Sequence, residues 1–276
     1  MTALAADLGG TRLRLALVDG ARVLERVEVA TDRDAGPDAW LAQMAALAAP
    51  WAGRYGRIGI AVTGLVQDGH WSALNSATLN IPQRYPLANR AEAALGQRPT
   101  LANDAQAAAW GEHLHGAGGA RDMVFLTLST GIGGGIVAGG RLMTGRQGLA
   151  GHFGQMLATE GPAERIEDTA AGLWIARAAV AAGHDTDARG VFAALPAPWA
   201  EAILDASAAR FARLCHNLTL ALDPEVIVIG GGIGLAPGYL ERVQTHLSPA
   251  FPPNLVLAAL GTDAGLIGIA ALAHQP

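Results

Sequence analysis

At 276 residues, 51% hydrophobic and 16% charged, the chain has the apolar material for a large core, and its length suggests two domains rather than a disordered polymer. A net charge of −5 and a pI near 5.9 exclude a basic nucleic-acid-binding surface. The lone Cys215 cannot form an internal disulfide, Asp7 interrupts any signal-peptide stretch, and no run of about 18 apolar residues escapes a charge or a Gly/Pro cluster, so a soluble cytoplasmic protein without a membrane partner is expected.

From the N-terminus, Leu4 to Gly20 reads as a strand, a glycine turn and a returning strand. In the second strand Thr11, Leu13, Leu15 and Leu17 alternate with Arg12, Arg14, Ala16 and Val18, the period of a strand with two unlike faces. Asp19-Gly20 signals a hairpin, and Arg22 to Ala30 reads as the third strand of a meander. Asp38 to Ala49 reads as helix, Arg57 to Thr63 as a buried strand, Pro86 to Leu95 as helix and Pro99 to Ala102 as a short strand. Asn103-Asp104 then opens a helix from Ala105 to His115. The glycine-rich joint Gly116 to Ala120 is the expected boundary, giving domains at 1–115 and 116–262. A second strand–glycine–strand unit runs from Met123 to Leu142, followed by an irregular stretch from Met143 to Gly161. Helices dominate Glu167 to Leu222, most clearly from Ser207. Glu225 to Ile229 is an apolar strand ending in Gly230-Gly231-Gly232. The tail, 263–276, holds a helix from Ala264 to Ala273 expected to pack back on the first domain.

The two strand–glycine–strand units are the chemically informative feature. Glycines let backbone amides approach an anion, and threonines add hydroxyl donors. Asp7-Leu8-Gly9-Gly10-Thr11 alone is either an ordinary hairpin or a phosphate turn with Asp7 near a metal and Thr11 on a phosphate oxygen. Its counterpart, Ser129-Thr130-Gly131-Ile132-Gly133-Gly134-Gly135, favours the second reading. All 19 basic residues are arginine, which excludes a lysine-bearing P-loop and lysine nucleophiles. The dinucleotide pattern GxGxxG also fails, its third glycine falling on Ile136 in one place and Pro237 in the other. Asp104 is read either as a helix N-cap or as a base that takes a proton from a sugar hydroxyl, with Asn103 holding neighbouring hydroxyls. Gly230 to Gly234 is either a plain strand-to-helix turn or a surface against a nucleoside. His152, in a glycine loop, has an ordinary structural reading, and Cys215 reads as inert core.

Together these segments resemble the ROK family (repressors, open reading frames, kinases) over essentially the whole chain. DLGGT at Asp7 to Thr11, LSTGIGGG at Leu128 to Gly135 and GGGIG at Gly230 to Gly234 match its nucleotide motifs in order, and Asn103-Asp104 matches its sugar-and-base pair. The stretches at Ala73 to Asn75, Asn103 to Glu112, Gly148 to Gln155, Gly234 to Leu240 and Asp263 to Gly268 extend the likeness. Most members carry Glu where His152 stands; His resembles the members acting on N-acetylmannosamine. One departure is large. The family's zinc module, a histidine followed by a cysteine cluster, is reduced here to Gln155 and the cysteine-free segment Gly161 to Glu167, so no zinc site is expected.

The resemblance implies a two-domain actin-like (ribonuclease H-like) α/β fold with a cleft between the domains. It implies ATP-dependent phosphorylation of N-acetylmannosamine at the 6-hydroxyl, with ATP and Mg²⁺ required. A ROK hexokinase acting on glucose, fructose or N-acetylglucosamine is the alternative. A non-catalytic sugar-binding regulator is the alternative of another class, disfavoured because the first phosphate hairpin leaves no room ahead of it for a helix-turn-helix. By the same resemblance Asp104 is the base, and Asn75, Asn103, His152 and Glu167 orient the sugar. Asp7 serves Mg²⁺, and Gly9, Gly10, Thr11, Thr130, Gly131, Gly133, Gly231 and Gly232 serve the nucleotide. A homodimer is the expected assembly.

Overall fold

The computed structural model describes residues 1–74, 79, 81–158 and 164–275. Its first sheet contains β1 (Thr2–Leu8), β2 (Arg12–Asp19), β3 (Arg22–Ala30) and β4 (Arg57–Val62). A small separate hairpin pairs β5 (Leu65–Gln67) with β6 (His70–Ser72), and β7 (Thr100–Asn103) completes the first sheet in the order β3-β2-β1-β4-β7. The second sheet contains β8 (Met123–Leu128), β9 (Ile132–Ala138), β10 (Arg141–Met143), β11 (Val226–Gly230) and β12 (Leu255–Leu257), in the order β10-β9-β8-β11-β12. Each sheet has an antiparallel three-strand meander on one side and two parallel strands added on the other. The repeat seen in the glycine turns therefore extends to the whole topology.

The helices are α1 (Pro37–Ala48), α2 (Leu87–Leu95), α3 (Asp104–His115), α4 (Glu167–Ala170), α5 (Gly172–Ala181), α6 (Ala188–Ala193), α7 (Pro198–Leu222), α8 (Tyr239–Thr245) and α9 (Ala264–Ala273). The 25-residue α7 starts well before Ser207, with Pro198 in its first turn, where a missing N–H is harmless. The β5–β6 hairpin, α8 and β12 were not foreseen. The hairpin turns on Asp68-Gly69, both at positive φ (50° and 76°), as a two-residue turn of this kind demands. Among the described residues no helix is long and apolar enough to cross a membrane.

Strand alternation explains the layering. Leu4, Leu8, Leu13, Leu15 and Leu17 face a core closed by Trp40 and Met44 of α1. The opposite face presents Ala3, Ala5, Ala16 and Val18 to α3 and α9. In the second sheet Leu126, Leu128, Ile227 and Ile229 face α5 and α7, whereas Phe125, Val226 and Val228 join the α3–α9 layer. The α3–α9 pair is thus the central layer between two sheets, and β2 is buried on both faces beyond Arg14.

Small residues permit that layer. A Cβ on Gly111 of α3 would stand 2.5 Å from the Ala264 carbonyl oxygen, and one on Gly268 of α9 would strike the Ala107 carbonyl. At the far end of α3, buried Glu112 accepts the amides of Ala117 (2.8 Å), Ala259 (3.1 Å) and Leu260 (2.7 Å), fixing the chain that leads into α9. The obstacle at Gly268 is backbone, which cannot rotate aside. Gly268→Ala is expected to destabilise the fold by about 1–3 kcal/mol or more, read as a lower urea midpoint, although alanine favours helix. An unchanged midpoint would contradict this packing.

Candidate active site

A cavity of about 570 Å³ opens where the carboxyl ends of β1, β4 and β7 face the β8–β9 turn. Gly9, Gly10 and Thr11 line one wall; Thr130, Gly131 and Gly133 line the other. Asn103, Asp104, His152 and Glu167 complete the set of expected residues that meet there. Asp7, Gly231 and Gly232 do not reach the cavity wall, and Asn75 lies outside the described residues.

Both glycine turns are held from outside. Gly9 N–H donates to the Arg12 carbonyl (3.0 Å), and Thr31 reaches the turn through its amide to Thr11 O (3.0 Å) and its hydroxyl to Gly9 O (2.9 Å). In the second turn Ser129 N–H donates to Gly131 O (2.9 Å), while Ser129 O and Thr130 O receive the first amides of α5. The Gly230–Gly234 turn is stapled to the same region, since Ile233 and Gly234 both donate to Leu128 O. Gly231 adopts φ 86° with its backbone pressed on Leu128, a position only glycine fills.

The helix cap is Asn103, not Asp104. Asn103 is extended, and its Oδ1 accepts from Ala105 (3.0 Å) and Gln106 (3.1 Å) while its Nδ2 donates to Gly64 O (2.9 Å). The Asn103 side chain thus serves the fold through Oδ1 and through one N–H of Nδ2, and Asp104 is the first helical residue. Asp104 Oδ1 accepts from the Ala105 amide at 2.8 Å, and the Asn103 side chain and Asp104's own amide also favour its charged form. Burial chiefly, and the Asp7 charge second, push the Asp104 carboxyl up to about 7. Asp7 is buried behind the first turn. Its own pKa is raised by burial, against the pull of Arg14, whose Nη2 donates to Asp7 Oδ2 at 2.7 Å. The other terminal nitrogen of Arg14 donates to Thr262 O (2.8 Å) at the entry to α9.

On the opposite side, Gln106 Nε2 donates to Ala150 O (2.8 Å) and Gly148 O (3.2 Å), hanging the His152 loop from α3. The His152 ring nitrogens face Leu149 O (3.2 Å) and Gly64 O (3.4 Å). Glu167 Oε1 accepts from Gln155 Nε2 (2.8 Å) and meets Arg165 Nη1 (3.0 Å). Arg165 also donates to Gln155 Oε1 (3.3 Å) and grips Asp168 through Nε (2.7 Å) and Nη2 (3.0 Å). An antiparallel bridge between Leu157 and Arg165 brings the two arms of this segment together.

These donor sets discriminate between metals. Asp104 offers a carboxylate at the cavity and Asp7 another behind the first glycine turn, a donor set that suits Mg²⁺, which takes one or two carboxylates and completes its shell with other oxygens. Among the described residues no group of three or more His, Cys, Asp or Glu stands ready to hold a metal alone. Among the described residues from Gln155 to Asp168 the donors do not suit zinc, because Gln155 and Glu167 are tied to Arg165 and Cys215 is buried within α7. Sequence reading missed Arg14, Arg33, Gln106 and Arg165. The only signal was the absence of lysine, which leaves every cationic duty to arginine.

The model of the ROK family matches residues 3–276. The bifunctional enzyme NanE/NanK of Brucella melitensis biotype 1 is 50% identical over 98% of this chain and 53% of its own length, so the chain spans about half of that relative. The N-acetylmannosamine kinase of Shigella boydii serotype 18 is 41% identical over 99% of both chains. A solved ROK family glucokinase from Streptomyces griseus, in complex with glucose and AMPPNP, aligns over 100% of both chains with a TM-score of 0.85 and 26% identity. A match running from end to end, on two actin-like halves that face one cleft, leads to one conclusion: the chain belongs to the ROK family.

Proposed function

We propose that this chain transfers the γ-phosphoryl group of ATP to the 6-hydroxyl of N-acetylmannosamine. The observation that carries the kinase reading is Asp104: a carboxylate not needed as a cap, tuned near neutrality, between two glycine turns. In the proposed step the sugar O6 forms a bond to phosphorus, the bond to the β-phosphate bridging oxygen breaks, and Asp104 takes the hydroxyl proton. Phosphoryl transfer of this kind rests on positioning and charge stabilisation. Asp7 would help to hold Mg²⁺ through water, and the ion would supply positive charge against the phosphates, leaving Asp104 free to act as the base. His152 and Glu167 supply the sugar side. The name of the Shigella relative, N-acetylmannosamine kinase, supports the choice of sugar. Residues 1–115 with the tail helix form one lobe in this reading and 116–262 the other, and their closure would exclude water.

A base works only when ionised, so kcat/KM should rise with pH through about 7. Asp104→Asn should lower kcat by about 10²–10⁴-fold while sugar affinity holds, because the cap is Asn103. Stability gives an independent reading. Between the ordinary carboxyl value and about 7 the folded chain keeps a proton that the unfolded chain has released, so wild-type stability declines as pH rises across that window. The variant should therefore be the more stable protein at pH 8, by on the order of 1 kcal/mol, with the gap closing near pH 4. Near-normal turnover, or a variant less stable at pH 8, would overturn the assignment.

Purified, untagged protein should contain well under about one zinc per chain, the stoichiometry of a single structural site. After chelation, activity should return with Mg²⁺ alone. Stoichiometric zinc, lost together with activity, would contradict this.

A neutral imidazole donates one hydrogen bond and accepts one, whereas a carboxylate only accepts. His152→Glu should therefore lower kcat/KM for N-acetylmannosamine by about tenfold or more, and by less for N-acetylglucosamine or glucose. An equal fall for all three, or a wild type that prefers glucose, would remove His152 as a specificity residue.

A further inference from the structure

A triphosphate brings several negative charges into a cleft whose own side chains already hold an excess of acid. Asp104, Glu167 and Asp168 line the cavity, and Arg33 and Arg165 are the arginines that line it. Arg165 is committed to Glu167 and Asp168. The arginines nearest the first glycine turn are committed too, Arg14 to Asp7 and Arg12 to Glu28. With no lysine in the chain, Arg33 is left as the one cavity-lining arginine without a carboxylate partner among the described residues.

Its position is built rather than accidental. Thr31 is bonded to both Gly9 and Thr11, and Trp40 Nε1 donates to Asp32 O at 2.6 Å, so the segment leaving β3 is fixed against the turn. Arg33 Nε then donates to Gly10 O at 2.6 Å. That bond turns an acceptor of the glycine loop away from an incoming anion and sets the guanidinium beside the loop amides. Its two terminal nitrogens make no hydrogen bond among the described residues, leaving the paired donors that match a phosphate edge.

We propose that Arg33 is the side-chain cation that grips the phosphate chain of the nucleotide and stays on it through transfer. This rests on the kinase reading. A merely structural role, pinning Gly10, makes a different prediction, and nucleotide binding separates the two.

The experiment compares wild type, Arg33→Gln, Arg33→Lys and the charge control Arg22→Gln at the distant β2–β3 turn. Affinities are measured for Mg²⁺-AMPPNP by calorimetry and for adenosine by ligand-observed NMR, with kcat/KM for ATP and for sugar. Arg33→Gln should weaken AMPPNP by about tenfold to a hundredfold, leave adenosine binding unchanged and lower kcat/KM for ATP. Arg33→Lys should recover part of the loss, and Arg22→Gln should match wild type. AMPPNP affinity unchanged in Arg33→Gln, or adenosine and AMPPNP weakened equally, overturns the proposal. A wild type that binds AMPPNP but phosphorylates no sugar overturns the kinase reading while the Arg33 comparison still reads. A wild type that binds no AMPPNP overturns both.

Discussion

The approach of α3 to α9 is the contact on which the cleft depends. The two helices form the only layer common to both sheets, and they close on each other through Gly111, Gly268 and the carbonyls those glycines leave uncovered. Their N-termini arrive at the same place. Asp104 opens α3, and a Cβ on Gly265 in the first turn of α9 would lie 3.5 Å from Asp7 Oδ2 and 3.9 Å from the Asp104 carbonyl. Two helix N-termini favour negative charge nearby, and they converge where the fold buries two carboxylates. Spreading the helices by the width of one methyl group would separate the acids as well as loosen the core.

Two opposing terms decide the state of those acids. Burial penalises each charge, and proximity penalises both together; Arg14 offsets part of the cost for Asp7, whereas Asp104 has only neutral donors, the Ala105 amide first among them. Burial is the largest effect at both sites and raises both carboxyls. Asp104 is left near neutrality, where a base is most effective. Asp7 has an arginine on one oxygen and lies behind the cavity wall.

Much of this was legible in the sequence, for a physical reason: phosphate turns, meander strands and the polar helix start are local patterns. The alternation in β2 and the glycine runs at 129–135 and 230–234 carry their geometry in consecutive residues. Which of Asn103 and Asp104 caps α3 was not legible, because both side chains cap well and only the extended backbone at Asn103 settles it. The β5–β6 hairpin had a signal in Asp68-Gly69, but its strands are three residues each, too short to show a period. The roles of Arg14, Arg33 and Arg165 depend on which carboxylate each arginine meets. That is decided by strand register and loop placement, not by neighbours in the chain.

The Arg165 cluster gives the segment around Gln155 and Glu167 a chemistry unlike that of a thiolate–metal staple. Thiolates are lost to peroxide, to disulfide exchange and to competing soft metals. Here the joining atoms are guanidinium, amide and carboxylate, none of which takes part in such reactions. The single thiol, Cys215, is sealed in α7 with its pKa pushed up to about 12 by burial. The vulnerability moves to ionic strength, since a partly exposed guanidinium–carboxylate cluster weakens as salt screens it. A segment joined by guanidinium and carboxylate in this way takes its firmness from charge, and so from the salt around it.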